Sequence, residues 1–183
     1  MDRLQQIERA RHGDRDAFAA LAAGEIGRLY AVAHLIVGAS EPARDAVQEA
    51  MIRAWQGLPS LRDPDRFDAW LHRLLVRSCY RQRRAERRGA GEARRLPEPI
   101  VPDAFGSLAN RDEIERGFRR LSAEQRAALV LRFYLDLSIG EVAEALHVPE
   151  GTVKSRIHRA LGAMRAALEA DARPALALTE RSA

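Results

Sequence analysis

Residues 137 to 165, LSIGEVAEALHVPEGTVKSRIHRALGAMR, restrict the chain to one kind of local structure. Ser138 stands three residues before Glu141, the spacing of a capping box, in which each side chain satisfies a backbone N–H that the first helical turn leaves unpaired. The helix started there turns Ile139, Val142, Ala143 and Leu146 to one side. Pro149 has no amide donor and disfavours helical dihedrals at Val148, so the helix stops and another begins within a few residues at Glu150-Gly151-Thr152. The second helix carries Val153, Ile157, Ala160, Leu161, Met164 and Leu168 on one face and Thr152, Lys154, Ser155, Arg156, His158 and Arg159 on the others. From Lys154 to Arg165 there are four Lys or Arg and no carboxylate, whereas a solvated helix face usually mixes signs. Two helices at a tight corner, the second with short hydroxyls and long cations, make a helix-turn-helix suited to a major groove flanked by phosphates.

The rest of the chain is helical by composition and pattern. Of 183 residues only 5% are aromatic against 46% hydrophobic in all, with Ala abundant, a balance that favours helix over sheet. The formal net charge is +4 and the cations are nearly all Arg. They cluster: residues 81 to 95 hold seven Arg against Glu86 and Glu92, which points to an anionic polymer as partner. Cys79 is the single cysteine, consistent with a reducing cytoplasm. No run approaches eighteen apolar residues and the N-terminus has no apolar signal core, so neither a membrane span nor secretion is expected.

In order along the chain, a short helix over 2–11 precedes Gly13 and a helix capped by Asp14, which buries Phe18, Leu21, Ile26, Leu29, Val32, Ala33 and Ile36. Gly24 and Gly27 weaken it and leave room for a bend there. Gly38 ends it and Ser40 caps the next, whose stripe of Ala43, Ala46, Val47, Ala50, Met51, Ala54, Trp55 and Leu58 alternates by three and four. A second face of that helix, Asp45, Gln48, Glu49 and Ile52, reads as either a solvated surface or a docking surface. A turn-rich loop over 57–66 leads to a helix opened by Asp63 and Pro64 that buries Phe67, Trp70, Leu71, Leu74 and Leu75. Beyond Val76 it becomes a cationic rod.

Residues 89–110 carry three Pro, three Gly and no periodicity, and read as a flexible linker between domains at 1–88 and 111–170. Ser122 with Gln125 forms a second capping box, launching a helix that buries Leu129, Val130, Phe133 and Tyr134. Residues 171–183 read as a frayed tail. The fold class is all-α: two small helical domains, the second containing the helix-turn-helix. The five His are dispersed, no Cys pair suits zinc and no Gly-rich phosphate loop is present, so no metal or cofactor and no enzyme activity is expected.

Three segments together, RDAVQEAMIRAW at 44–55, RFDAWLHRLL at 66–75 and the pair SIGEVAEAL with VPEGTVKSRIHRAL, resemble the bacterial RNA polymerase sigma factors of the extracytoplasmic-function class. The resemblance covers about residues 14–170. It implies that the first domain docks on core RNA polymerase through Asp45, Gln48, Glu49 and Ile52. It implies that Leu61, Arg62, Arg66, Trp70, Arg73, Arg77, Arg81 and Arg84 meet and melt the −10 element, holding single-stranded DNA. It implies that the second domain reads the double-stranded −35 element through Thr152, Lys154, Ser155, Arg156, His158 and Arg159, and that an anti-sigma factor restrains the chain. Many members have an Asn and, four residues on, an Asp where this chain has Arg77 and Arg81, which adds cations for phosphate contact. The alternative reading is a response-regulator-type activator that binds duplex DNA without docking on polymerase; no strand–helix alternation for its receiver domain is seen in the sequence. A second alternative is an adaptor whose Arg run binds RNA.

Overall fold

Asp14 accepts hydrogen bonds from the amides of Asp16 and Ala17, and this N-cap starts the long helix that organises the first half of the protein. In the computed structural model, backbone is described for residues 2–89 and 108–179, and side chains for 2–85 and 114–170. The first half contains α1 (Arg3–Arg11), α2 (Arg15–Val37), α3 (Ser40–Gly57) and α4 (Phe67–Gly89). Two 3-10 turns at 58–60 and 64–66 join α3 to α4, with Asp63 capping the second. The second half contains α5 (Leu108–Arg119), α6 (Ala123–Leu129), α7 (Ile139–Leu146) and α8 (Glu150–Thr179). The expected linker therefore lies almost wholly outside the described residues.

The alternation along α3 is realised as packing. Ala43, Ala46, Val47, Ala50 and Ala54 are buried, and their small side chains let α2 and α4 approach α3 closely. Leu71, Leu75 and Val76 of α4 complete this core with Leu29, Val32 and Ile36 of α2. Gly38 takes the left-handed conformation, φ 81°, that closes α2. Ser40 does not cap α3 as expected: Ala39 is the extended residue before the helix, and the Ser40 hydroxyl is buried without a hydrogen-bond partner among the described residues. Gly38 and Ala39 complete the corner between them, so the boundary falls one residue early. Cys79 is fully buried in α4, and burial pushes its thiol up to about 12.

Other expectations change. α2 is a single helix through Gly24 and Gly27, and Ile26, expected to be buried, is 49% exposed. The neighbouring Glu25 is turned inward instead, because α1 packs against α2 and brings Arg3 to the Glu25 carboxylate at 2.7 Å. By length and composition α2 is apolar enough to cross a membrane, but half of its most apolar window is buried inside the protein. Phe133 is exposed because the chain widens into a π turn over Val130–Tyr134, closed by the Leu135 amide on the Val130 carbonyl at 3.1 Å. That extra residue per turn carries Leu131 into the core and Phe133 out of it. Finally, Leu161 is 46% exposed, and α8 continues through the expected tail and past Pro174 to Thr179, where Ala and Leu sustain helical propensity.

Both capping boxes form. Ser122 and Gln125 exchange bonds at the start of α6, as do Ser138 and Glu141 at the start of α7. Hydrogen bonds from the Ser138 hydroxyl and amide hold the Glu141 carboxyl below the usual carboxylate range. Ser138→Ala should therefore destabilise the helix-turn-helix by about 1 kcal/mol, measured by chemical denaturation. A lowered folded-state pKa contributes stability above the ordinary carboxyl value, so the loss should be full at neutral pH and shrink below about pH 4.

The halves touch. α6 and α7 pack on α4, and α6 with its π turn packs on α2. Buried apolar residues from Ile7 in the first half to Val153 in the second form one connected cluster. Arg126 of α6, 7% exposed, donates from Nε to the Phe118 carbonyl at 2.9 Å and from Nη1 to the Ile36 carbonyl at 3.4 Å. A guanidinium at the C-terminal end of α2 complements the helix dipole there.

Candidate nucleic-acid interface

α7, its corner and the start of α8 form the expected helix-turn-helix. The corner is made differently from the expected Val148-Pro149 stop: His147 takes the left-handed conformation, φ 58°, and the Val148 amide reaches the Ala143 carbonyl at 3.1 Å. Val153 and Ala160 of α8 are fully buried. That anchoring leaves Lys154, His158 and Arg159 exposed on the outer face, while Thr152, Ser155 and Arg156 are half-buried. The Ser155 hydroxyl donates to the Thr152 carbonyl at 3.0 Å, and Arg159 Nη2 donates to the same hydroxyl at 3.1 Å. Lys154 Nζ lies 4.0 Å from Glu150. Arg156 faces elsewhere: its charge acts on Tyr80 of α4, whose hydroxyl is buried and pushed up chiefly by that burial.

The second cationic region is built around the loop between α3 and α4. Leu61, Arg62, Arg66, Trp70 and Arg73 line one pocket of about 310 Å³ with Ser60, Asp63 and Ala69. The loop supplies the first three, and the first turns of α4 bring the indole and Arg73 beside them. Trp70 packs against Phe67 with ring centroids 6.0 Å apart. Three guanidiniums, an indole and a hydroxyl around one cavity suit a nucleotide, with phosphate on the cations and base on the ring. Five of the eight residues expected at the −10 element are thus gathered. Arg77, Arg81 and Arg84 lie farther along α4, outside the pocket. The pocket has one further lining residue with no signal in the sequence, Glu144 of α7.

Arg81 has a different neighbour. Its Nε lies 2.8 Å from Glu49 of α3, and its Nη2 donates to the Ser78 hydroxyl at 2.9 Å. Arg53 also donates to Glu49, from Nη2 at 3.0 Å. Burial works against the Glu49 charge, but the two guanidiniums outweigh it and hold the carboxyl below its usual range. Glu49 therefore shares its charge with α4. Asp45 and Gln48, by contrast, are exposed without an ion-pair or hydrogen-bond partner among the described residues, beside an Ile52 that is 50% exposed.

An all-helical fold with a basic helix-turn-helix, a pocket lined by three Arg and a separate face carrying Asp45 and Glu49 has the features of a DNA-binding protein. A model of sigma-70 region 2 matches residues 22–89, and one of sigma-70 region 4 matches residues 111–164. The chain is 38% identical over 151 residues to the ECF RNA polymerase sigma factor SigM of Mycobacterium tuberculosis, covering 81% of this chain and 75% of that one. Among solved structures, the sigma factor RpoE in complex with the anti-sigma factor NepR from Bartonella quintana superposes with a TM-score of 0.70 at 27% identity, covering 84% and 98% of the two chains. CnrH in complex with the cytosolic domain of CnrY gives 0.68 at 25% identity, covering 93% and 99%. The chain belongs to the ECF RNA polymerase sigma factors. It is a promoter-recognising subunit for transcription initiation, in a family of non-enzymatic factors.

Proposed function

We propose that residues 22–89 join core RNA polymerase through Asp45, Gln48, Glu49 and Ile52 and open the promoter at the −10 element, while residues 111–164 read the −35 duplex. The observation that carries this reading is the pocket at Leu61, Arg62, Arg66, Trp70 and Arg73, which offers a stacking surface and phosphate-binding cations on the same segment that matches region 2. Arg77 and Arg84, exposed farther along α4, extend the cationic track beyond it. Arg81 divides its charge between that track and Glu49, so it positions the docking face as well.

On the duplex side Lys154, His158 and Arg159 are the outermost groups, and Thr152, Ser155 and Arg156 lie deeper on α8. Alanine at Lys154 or Arg159 should cost about 1–3 kcal/mol if the side chain reads a base edge, with relaxed sequence preference. If it contacts phosphate, affinity should fall for all sequences and the salt slope should flatten by about one. Titration of promoter duplex by holoenzyme at several salt concentrations measures both; no change in either removes that residue from the interface.

The solved neighbour RpoE is bound to an anti-sigma factor. We extend that to this chain: a cytoplasmic protein segment covers the docking and DNA-binding surfaces when transcription is not required. The test of the whole reading is promoter-dependent transcription with purified core polymerase. Specific transcripts only when the chain is present support it. Duplex binding with no transcription would favour the activator alternative.

A further inference from the structure

Glu144 is unexplained by the role of the helix that carries it. α7 is the first helix of the helix-turn-helix, and its cap is already completed by Glu141. A carboxylate on a DNA-reading unit repels phosphate. Glu144 is partly exposed, yet it has a partner in the other half of the chain: its Oε1 lies 3.4 Å from Nη1 of Arg66, across seventy-eight positions of sequence, and it lines the pocket in which Arg66 sits. α7 is held there because it packs along α4. Arg66 also lies 3.9 Å from Asp63, so the guanidinium best placed to receive a phosphate is flanked by two acids.

We infer that Glu144 stands in the single-strand pocket in place of a nucleic-acid phosphate, so that in the closed chain the duplex-reading half occupies the strand-capturing site of the other half. The inference rests on the single-strand reading of the pocket given above and adds its regulation. The contact is suited to exchange. Arg66 and Glu144 side chains are 66% and 47% exposed, so water and phosphate oxygens reach the pair from outside. An exposed ion pair of this kind biases an equilibrium by no more than about fivefold, weak enough for a strand to displace. The outer face of α8, with Lys154 and His158, remains open while the pocket is covered. Duplex recognition is therefore available to the closed chain, and strand capture is not.

The test uses the full chain and a fluorescein-labelled single-stranded 12-mer of mixed sequence at low ionic strength. Glu144→Gln should bind the 12-mer about three- to fivefold more tightly than the unmodified chain. The gain should shrink as salt rises, because pair and competitor are both screened. Glu169→Gln, an exposed acid late in α8, makes the same change in net charge away from the pocket and should have less than about half that effect on a logarithmic scale. In an Arg66→Ala background, Glu144→Gln should bring no gain. Equal binding by the Glu144 and Glu169 variants, or a gain that persists without Arg66, overturns the inference. If Arg66→Ala and Arg62→Ala both weaken 12-mer binding while Glu144→Gln does nothing, the pocket reading stands and the occlusion alone is wrong. If neither arginine variant weakens binding, the pocket reading fails and takes the inference with it.

Discussion

Lysine in place of Asp45 should abolish recovery of the chain with core RNA polymerase and leave its circular dichroism melt almost unchanged. Asp45 is exposed, sits in mid-helix and has no ion-pair or hydrogen-bond partner among the described residues. A surface substitution of that kind changes stability by about 0.5 kcal/mol or less. Removing one member of a charge pair that becomes buried at an interface costs about 2–5 kcal/mol, and reversing it adds repulsion, so affinity should fall by at least about thirtyfold. Glu49→Lys is the less informative variant. It would bring a third cation against Arg53 and Arg81 and disturb the α3–α4 contact at the same time as the docking face. Copurification with core, read beside the melt, decides the matter: an Asp45→Lys chain that still copurifies shows that docking lies elsewhere.

Leu75→Ala should produce the largest loss of stability among single apolar truncations in α4. Leu75 is fully buried, and it belongs to the apolar cluster that α4 shares with residues of both halves. Truncation of a buried leucine costs about 2–5 kcal/mol, the larger values arising where neighbours cannot collapse into the space. For a chain of this length the melting temperature should fall by about 4–20 °C. Because one apolar cluster connects the halves, calorimetry should show a single transition that moves as a whole. Two resolved transitions, of which only one responds, would show that the halves unfold independently.

Most local physical signals were legible in the sequence, although the cap of α3 falls at Ala39 instead of Ser40 and the corner after α7 turns at His147 instead of at Val148-Pro149. The capping boxes at Ser122 and Ser138, the Asp14 cap, the left-handed Gly38 and the small-residue stripe of α3 all appear where short-range rules put them. Those rules act within about four residues, through hydrogen bonds and dihedral preferences that depend on neighbours in the chain. The larger misses have other origins. Phe133 was assigned inward by a 3.6-residue period that the π turn at Val130–Tyr134 interrupts, and no residue type marks such a turn. Ile26 gave way to Glu25 because Arg3, on another helix, makes the inward carboxylate tolerable. Arg126 and Glu144 look like ordinary solvent-facing charges in their helices. Only the packing of one half on the other gives Arg126 the Ile36 carbonyl and Glu144 the Arg66 guanidinium. At the pocket the same division holds: Arg62, Arg66, Trp70 and Arg73 stand close together in the sequence, whereas Glu144 reaches it only through the packing of α7 on α4.

The burial of Cys79 makes this protein unusually convenient for spectroscopy. With its thiol raised to about 12 and fully buried in α4, Cys79 is a poor nucleophile in the folded chain. A cysteine introduced at any exposed position is then the sole reactive handle, with no background substitution needed. Paired dyes, one on each half, turn the separation of α7 from α4 into an energy-transfer signal that can be followed in real time as core polymerase and promoter are added.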